Sequence, residues 1–350
     1  MSGARGPVRT AVVGTGWWST HAHLPVLSRD RRSRLVAVYD RDPERARIAA
    51  EAFRVPRVVE DVSELVGQVD AVIVATPQSA HAEPAGILLD AGIDVLVEKP
   101  LTIEPHDAWD LVRRAERAGA RLHVGHTFPY HPGVLEARRA VRSGELGGLA
   151  LATGLFSTAV AGLYRGETDF AREHTGALLS AIPSTYADPV SGGHLYSQLS
   201  HPIALLLFVL DERVTTVSAM AKSLGSGTDI ADSLVMSTES GLVISLAGAG
   251  TVDHHDRRSE EYRLFGDGGR LLLDTAAGSF ELSLRGGELR RTTAGDVDLS
   301  PMPAERLLAA ATGEAEVLVD GVLGAHTVEV LAAARRSAKS GGQPIVIDPR

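Results

Sequence analysis

Apolar residues are distributed along this chain in two different grammars. Up to residue 125 they gather in short, largely apolar runs, at 8–13, 35–39, 71–75, 93–97 and 121–125, separated by stretches where they recur at helical spacing. Near-continuous runs of this length predict strands buried on both faces of a sheet. The stretches between them predict helices from after Gly16 to about Arg29, over 44–53, 81–91 and 105–118, and a shorter one opening at Ser63. Asp42 ahead of Pro43 is a helix-start signal, and Gly92 is a stop. Strands alternating with helices over short connections imply right-handed βαβ units and a parallel sheet.

Beyond Gly125 the pattern changes. Residues 126–132 form a loop rich in ring side chains, followed by a helix from Pro132 to about Ser143 and a Gly-rich turn at 144–148. Strand-like runs at 150–156, 214–219, 234–238, 243–247, 262–265, 270–273 and 279–284 then follow one another across Gly or Asp turns, which predicts a mostly antiparallel sheet. The 194–210 segment covers one side of it, a last helix spans 322–340, and 344–347 adds an edge strand. The expected fold is therefore α/β: a doubly wound parallel-sheet domain over 1–125, then an α+β domain with an open sheet over 126–350, the last helix packing back on the first domain.

Composition narrows the function classes. A length of 350 residues suits two cores, and 44% apolar with 23% charged residues describes an ordinary globular chain. A net charge of -9 gives no basic field for nucleic acid, and the Arg31-Arg32 and Arg335-Arg336 pairs read as solvated faces. The absence of cysteine removes disulfides, thiolate metal sites and thiol nucleophiles together. The apolar run at 202–210 is far short of the roughly 20 residues that span a bilayer, and the first ten residues carry no secretory core. No membrane association is expected, and the expected location is the cytoplasm. The histidines show no metal-binding spacing, so no metal is expected; His254-His255 reads as a polar turn.

Candidate chemistry sits at the ends of the predicted strands. Gly14-x-Gly16 falls between a strand and a helix, where glycines admit a pyrophosphate to backbone N–H groups; the third glycine of the full fingerprint would fall at Ser19. Asp40 ends the second strand 24 residues after Gly16, as a ribose-diol acceptor would. It favours NAD, while Arg41 beside it suits NADP. Trp17 and Trp18 either pack across the domain seam or wall off the nicotinamide or the substrate. Lys99 ends the 93–97 run, so its ammonium stands at the carboxyl edge of a buried strand, where open α/β sheets hold ligands, with Glu98 to steady it. His126 and His131 follow the next strand's end. If 194–201 is helical, His194, Ser197, Gln198 and His201 form one stripe; Pro202 also fits the start of a separate helix. His201 titrates near neutrality and can exchange a hydroxyl proton.

Together these segments resemble the glucose-fructose oxidoreductase/inositol dehydrogenase (Gfo/Idh/MocA) family. The resemblance is carried by VVGTGWWSTHAHLP, ATPQSAHAEPAGILLDAGIDVLVEKPL, VGHTFPYHPGVLEARRAVRSGELGGL, GGHLYSQLSH and AHTVEVLAAARRSA, and covers nearly the whole chain. It implies a Rossmann domain plus a C-terminal α/β domain whose open sheet makes dimers or tetramers. It further implies NAD- or NADP-dependent oxidation or reduction of a sugar, cyclitol or nucleotide-sugar hydroxyl. The family lysine maps onto Lys99, its catalytic histidine onto His201, and the nicotinamide-side loop onto Thr76, Pro77 and His81. Substrate-side candidates are His126, Tyr130, Tyr196, Ser197 and Gln198. The chain departs from the pattern at Ser197 and Leu199, where most dehydrogenase members carry aspartate and glycine; Gln198, Tyr196, Asp169 or Asp188 could take over the aspartate's part. Two alternatives stand beside the dehydrogenase: an enzyme using tightly bound NAD transiently for elimination or epimerisation, and a non-catalytic NAD(H)-sensing regulator.

Overall fold

The computed structural model describes residues 6–175, 178–252, 258–295 and 297–349. Over them the chain divides into two compact units, the first from residues up to 126, 168–182 and 300–325, the second from 127–167, 183–299 and 326 onward. The two later returns to the first unit have no counterpart in the sequence division at 125/126, because periodicity reports an element and not the sheet it packs on.

The first unit is built on a parallel sheet of β1 (Val8–Val13), β2 (Ser33–Tyr39), β3 (Ala71–Val74), β4 (Asp94–Val97) and β5 (Leu122–Val124), in the order β2-β1-β3-β4-β5. β3, β4 and β5 are buried at every residue, as continuous apolar runs require when both faces are covered. Val12, Ile73 and Leu96 pack with Leu24, Leu27, Leu307 and Leu308 on one face. Leu307 and Leu308 come from a helix, Met302–Ala311, that the sequence reading leaves out. Asp42 caps the Pro43–Phe53 helix, accepting from the Glu44 N–H at 3.0 Å, and Gly119 at φ +66° ends Pro105–Ala118.

The second unit holds a nine-stranded sheet. Its strands are β6 (Leu149–Ser157), β7 (Val214–Lys222), β8 (Ala231–Thr238), β9 (Val243–Ala249), β10 (Glu260–Gly266), β11 (Gly269–Asp274), β12 (Ser279–Leu284), β13 (Leu289–Thr293) and β14 (Ile345–Val346). The order is β13-β12-β11-β10-β6-β9-β8-β7-β14, with only β6 and β9 parallel. β8 and β9 alternate buried and exposed residues, the mark of a sheet with one covered face. β14 is the edge strand expected at 344–347, paired antiparallel with β7. β13 was not expected, because its residues are nearly all exposed and carry no apolar period. Among the described residues no helix is long and apolar enough to cross a membrane.

Candidate active site

The strand order of the first unit reverses at β1, which has β2 on one side and β3 on the other; ligands of open α/β sheets bind outside the strand ends at such a point. Gly14 leaves β1 with φ +91°, and a Cβ there would lie 2.6 Å from the backbone of Ala75 and Thr76. The loop thus passes directly against the turn after β3, which only glycine allows. Gly16 differs: an added Cβ would meet nothing nearer than the Arg45 guanidinium at 3.9 Å. The open side of the loop is the concavity a pyrophosphate needs. Asp40 braces it, one carboxylate oxygen accepting from the Thr15 N–H at 2.7 Å and the Thr15 hydroxyl at 3.0 Å, the other from the Asp42 N–H at 3.0 Å. Ser19, at the third-glycine position, donates its hydroxyl to the Gly14 carbonyl, a further brace. Arg41 is exposed. Arg45, on the first turn of the helix capped by Asp42, is a neighbour of the loop that sequence reasoning missed.

His81 is turned inward rather than along a cofactor face. It is 1% exposed, with Nε2 2.9 Å from the Thr76 carbonyl and Nδ1 3.0 Å from that of Pro100, and burial outweighs these carbonyls to lower it below the usual histidine value. It staples the Thr76 turn to the chain just past Lys99, leaving Thr76 partly exposed and Pro77 exposed. The Lys99–Pro100 bond is cis. Glu98 does not simply steady the lysine: its buried carboxylate accepts from Trp18 Nε1–H at 2.9 Å, His23 Nε2–H at 2.8 Å and the Lys99 backbone N–H at 3.0 Å. Burial acts to raise Glu98, but His23 and Lys99 prevail and keep it below the usual carboxylate value. Lys99 is partly exposed, and burial pulls its amine down to about 8 against the opposing charge of Glu98. His126, wholly buried, is pushed down to about 3, first by burial and then by the Lys99 charge, so its imidazole is neutral. Trp17 meets Trp18 edge-on at 5.1 Å. His23 carries no sequence signal, because its partner is 75 residues away.

In the second unit, Leu195–Leu199 winds as a π-helix and Ser200–Leu210 as an α-helix. The wider π turn breaks the stripe drawn at regular α spacing. His194 instead turns to Asp232, Nδ1 to Oδ2 at 2.9 Å, and is fully buried; burial lowers it to about 4, so its ring is neutral. Ser197 is buried too, accepting from the Tyr164 hydroxyl at 2.5 Å and donating to the Gly193 carbonyl at 2.6 Å. Tyr196 is buried under the Arg335 guanidinium, 4.6 Å from its ring centre. Neither Ser197 nor Tyr196 is therefore available as a substrate contact. Gln198, Tyr130 and His201 are partly exposed, and His201 packs against Phe128 at 5.3 Å and Phe156 at 6.3 Å. Asp169 pairs with Arg172, and Asp188 with the Ser191 hydroxyl and the Val190 N–H. Sequence reasoning missed Tyr164, Asp229 and Asp232, whose burial gives a charged residue no period to reveal it. His254-His255 lies outside the described residues.

Residues 8–126 match the family profile described as "Oxidoreductase family, NAD-binding Rossmann fold", and residues 134–272 match the "GFO/IDH/MocA C-terminal domain". A dTDP-3,4-didehydro-2,6-dideoxy-alpha-D-glucose 3-reductase of Saccharopolyspora spinosa is 30% identical over 278 residues, 78% of this chain and 76% of the relative. The WlbA dehydrogenase of Bordetella pertussis, solved with NADH and UDP-GlcNAcA, superposes with a TM-score of 0.79 at 20% identity over 99% of both chains. GenD2 from gentamicin A biosynthesis, solved with NAD, gives 0.78 at 22% identity over 99% of this chain and 98% of that one. The chain belongs to the Gfo/Idh/MocA oxidoreductases, with an NAD-binding Rossmann domain at its head.

Proposed function

We propose that this oxidoreductase interconverts a secondary hydroxyl and a ketone on a sugar, cyclitol or nucleotide sugar, with Lys99 hydrogen-bonding the reacting oxygen and His201 exchanging its proton. The observation that carries the reading is Lys99, a partly exposed residue at the carboxyl end of β4, whose amine burial lowers to about 8 beside a buried carboxylate. An ammonium so poised donates to an oxygen that gains negative charge, and it can pass a proton near neutrality. Gly16, on the open side of the loop that Thr15 and Asp40 brace, would face the dinucleotide phosphates, Asp40 the adenosine ribose, and Thr76, Pro77 and Trp17 the nicotinamide side. NAD(H), when bound, supplies the two-electron exchange with the substrate carbon. Asp40 argues for NAD over NADP, since a carboxylate repels a 2′-phosphate.

The sheet face carrying Leu151, Leu155, Val235 and Val243, each at least 36% exposed and with Leu151 paired to Val243, fits association with a second copy of the chain. Sedimentation of wild type against Val235→Glu tests it. Screening both cofactors for reduction across free sugars, inositols and nucleotide sugars, with Lys99→Ala and His201→Ala alongside, tests the activity. Wild-type turnover in both variants would remove Lys99 and His201 from the chemistry. NAD that copurifies, never exchanges and yields no net NADH would move the reading to transient oxidation during elimination or epimerisation.

A further inference from the structure

Between the phosphate loop and Lys99 lies a buried hydrogen-bond cluster that the proposed reaction does not use. Among the described residues Glu98 has three donors, none of them the Lys99 amine: Trp18 Nε1–H and His23 Nε2–H both reach Oε1, at 2.9 and 2.8 Å, and the Lys99 backbone N–H reaches Oε2 at 3.0 Å. His23 is wholly buried on the π-helical turn Ser19–His23, and its Nδ1 has no partner among the described residues. A carboxylate only accepts, so Nε2 carries the proton and Glu98 is this ring's one polar tie. The carboxylate has room to turn inward because the adjoining residue of the next strand end is Gly125, where a Cβ would lie 2.6 Å from Oε1. Trp18 follows Gly16 by two residues, so the same bonds join the cofactor loop to the strand end that bears the lysine.

We propose that His23 and Trp18 are positioning residues for Lys99: their ring N–H groups hold the Glu98 carboxylate turned into the interior, so that it backs the lysine with negative charge without clasping its amine. The functional value of this rests on the reading that Lys99 meets the substrate oxygen. An amine locked in a close ion pair with Glu98 would be spent on it, whereas one backed by the carboxylate's charge keeps its donors for other partners. The ionisable groups around this point are Glu98 on the same strand end, His126 after β5, His81 after β3, and His23 after β1. His81 and His126 are lowered by burial and hence neutral, so Glu98 alone supplies compensating charge. Removing either donor frees the carboxylate to swing onto the amine.

The chain has only three lysines, Lys99, Lys222 and Lys339, and the latter two are exposed. Reductive 13C-methylation of the intact protein therefore gives three lysine signals whose titration is read by NMR without any substrate. In wild type the Lys99 signal should titrate near 8. His23→Leu and Trp18→Phe should raise that midpoint by about one unit or more, through closer pairing with Glu98. His23→Gln, which keeps an N–H for Glu98, should leave it within a few tenths. An unmoved midpoint in His23→Leu, or an equal rise in His23→Gln, overturns the proposal. Where His23→Leu fails to fold by circular dichroism, the partly exposed Trp18→Phe decides. Because this readout needs no turnover, the expected shifts alongside an active Lys99→Ala enzyme would refute the role of Lys99 and leave the positioning of Glu98 intact.

Discussion

Substituting the two loop glycines by alanine should separate folding from cofactor binding. At Gly14 the backbone φ of +91° and the 2.6 Å approach to Ala75 and Thr76 act together. An alanine in such a conformation costs about 1–3 kcal/mol, and overpacking against fixed sheet backbone costs a similar amount. Gly14→Ala should thus lose about 2–6 kcal/mol of stability in the apo protein. At Gly16 the nearest atom to the new methyl is the tip of the Arg45 side chain at 3.9 Å, so the fold has nothing to yield. Gly16→Ala should stay within about 0.5 kcal/mol of wild type. Its methyl, however, occupies the side of the loop proposed for the phosphates, and NADH affinity should fall at least about tenfold, or about 1.4 kcal/mol. Urea denaturation of the apo proteins and fluorescence titration with NADH measure the two quantities independently. A Gly16→Ala protein with normal NADH affinity, or a Gly14→Ala protein of wild-type stability, would refute the assignment of the open face to the cofactor and of the closed face to the sheet.

Asp40→Asn keeps an oxygen for Thr15 but removes the charge facing a 2′-phosphate, while Arg41 and Arg45 remain nearby; the preference for NAD over NADP should fall about tenfold in kcat/KM. Ser197→Ala strands the buried Tyr164 hydroxyl and should cost about 1–3 kcal/mol, whereas Tyr164→Phe leaves Ser197 bonded to Gly193 and should cost less; thermal unfolding of both and of the double variant would show the single costs failing to add. Asp229 and Asp232 are both raised, by burial first and for Asp229 also by its neighbour's charge. The folded chain therefore holds protons that the unfolded chain releases, so stability should fall as pH rises from about 4 toward 7. Asp232→Asn should flatten that slope in urea midpoints, and an unchanged slope would count against the buried carboxyl pair.

How far the sequence discloses this molecule depends on whether a feature has a period or a partner. β1 and β12 are read to the residue: the mainly apolar VRTAVV and the alternating SFELSL are each bounded by a glycine, Gly14 after the first and Gly278 before the second. The polar edge strand Leu289–Thr293 offers no such run. Asp42, Pro43 and Gly119 announce their helix ends locally, whereas Met302–Ala311 is assigned no element although Pro303 stands in its first turn. Lys99 is legible because the strand it ends is legible. The donors around Glu98 are not, since Trp18 and His23 are brought there by the pairing of β1, β3 and β4 and by no local rule. The stripe through His194 and His201 fails for a related reason, as nothing in 195–199 declares a π turn.

Ser197 shows how a departure from the family pattern becomes intelligible once its neighbours are known. Its hydroxyl links the Tyr164 hydroxyl to the Gly193 carbonyl, so this position needs a group that both accepts and donates. An ionised aspartate would aim an acceptor at that carbonyl in a buried site, with the loss of one hydrogen bond and the desolvation of a charge. The chain does hold an imidazole–carboxylate pair in this segment, but between His194 and Asp232, and the backbone of His194 and Leu195 rests on Asp229, whose carbonyl accepts from one N–H at 3.0 Å and whose carboxylate accepts from the other at 2.6 Å. The segment that leads to His201 is thus fixed by Asp229, Asp232 and Tyr164, and the His201 ring lies against Phe128 and Phe156. The residues to vary for the orientation of His201 are consequently these two phenylalanines, because position 197 is committed to holding the π turn.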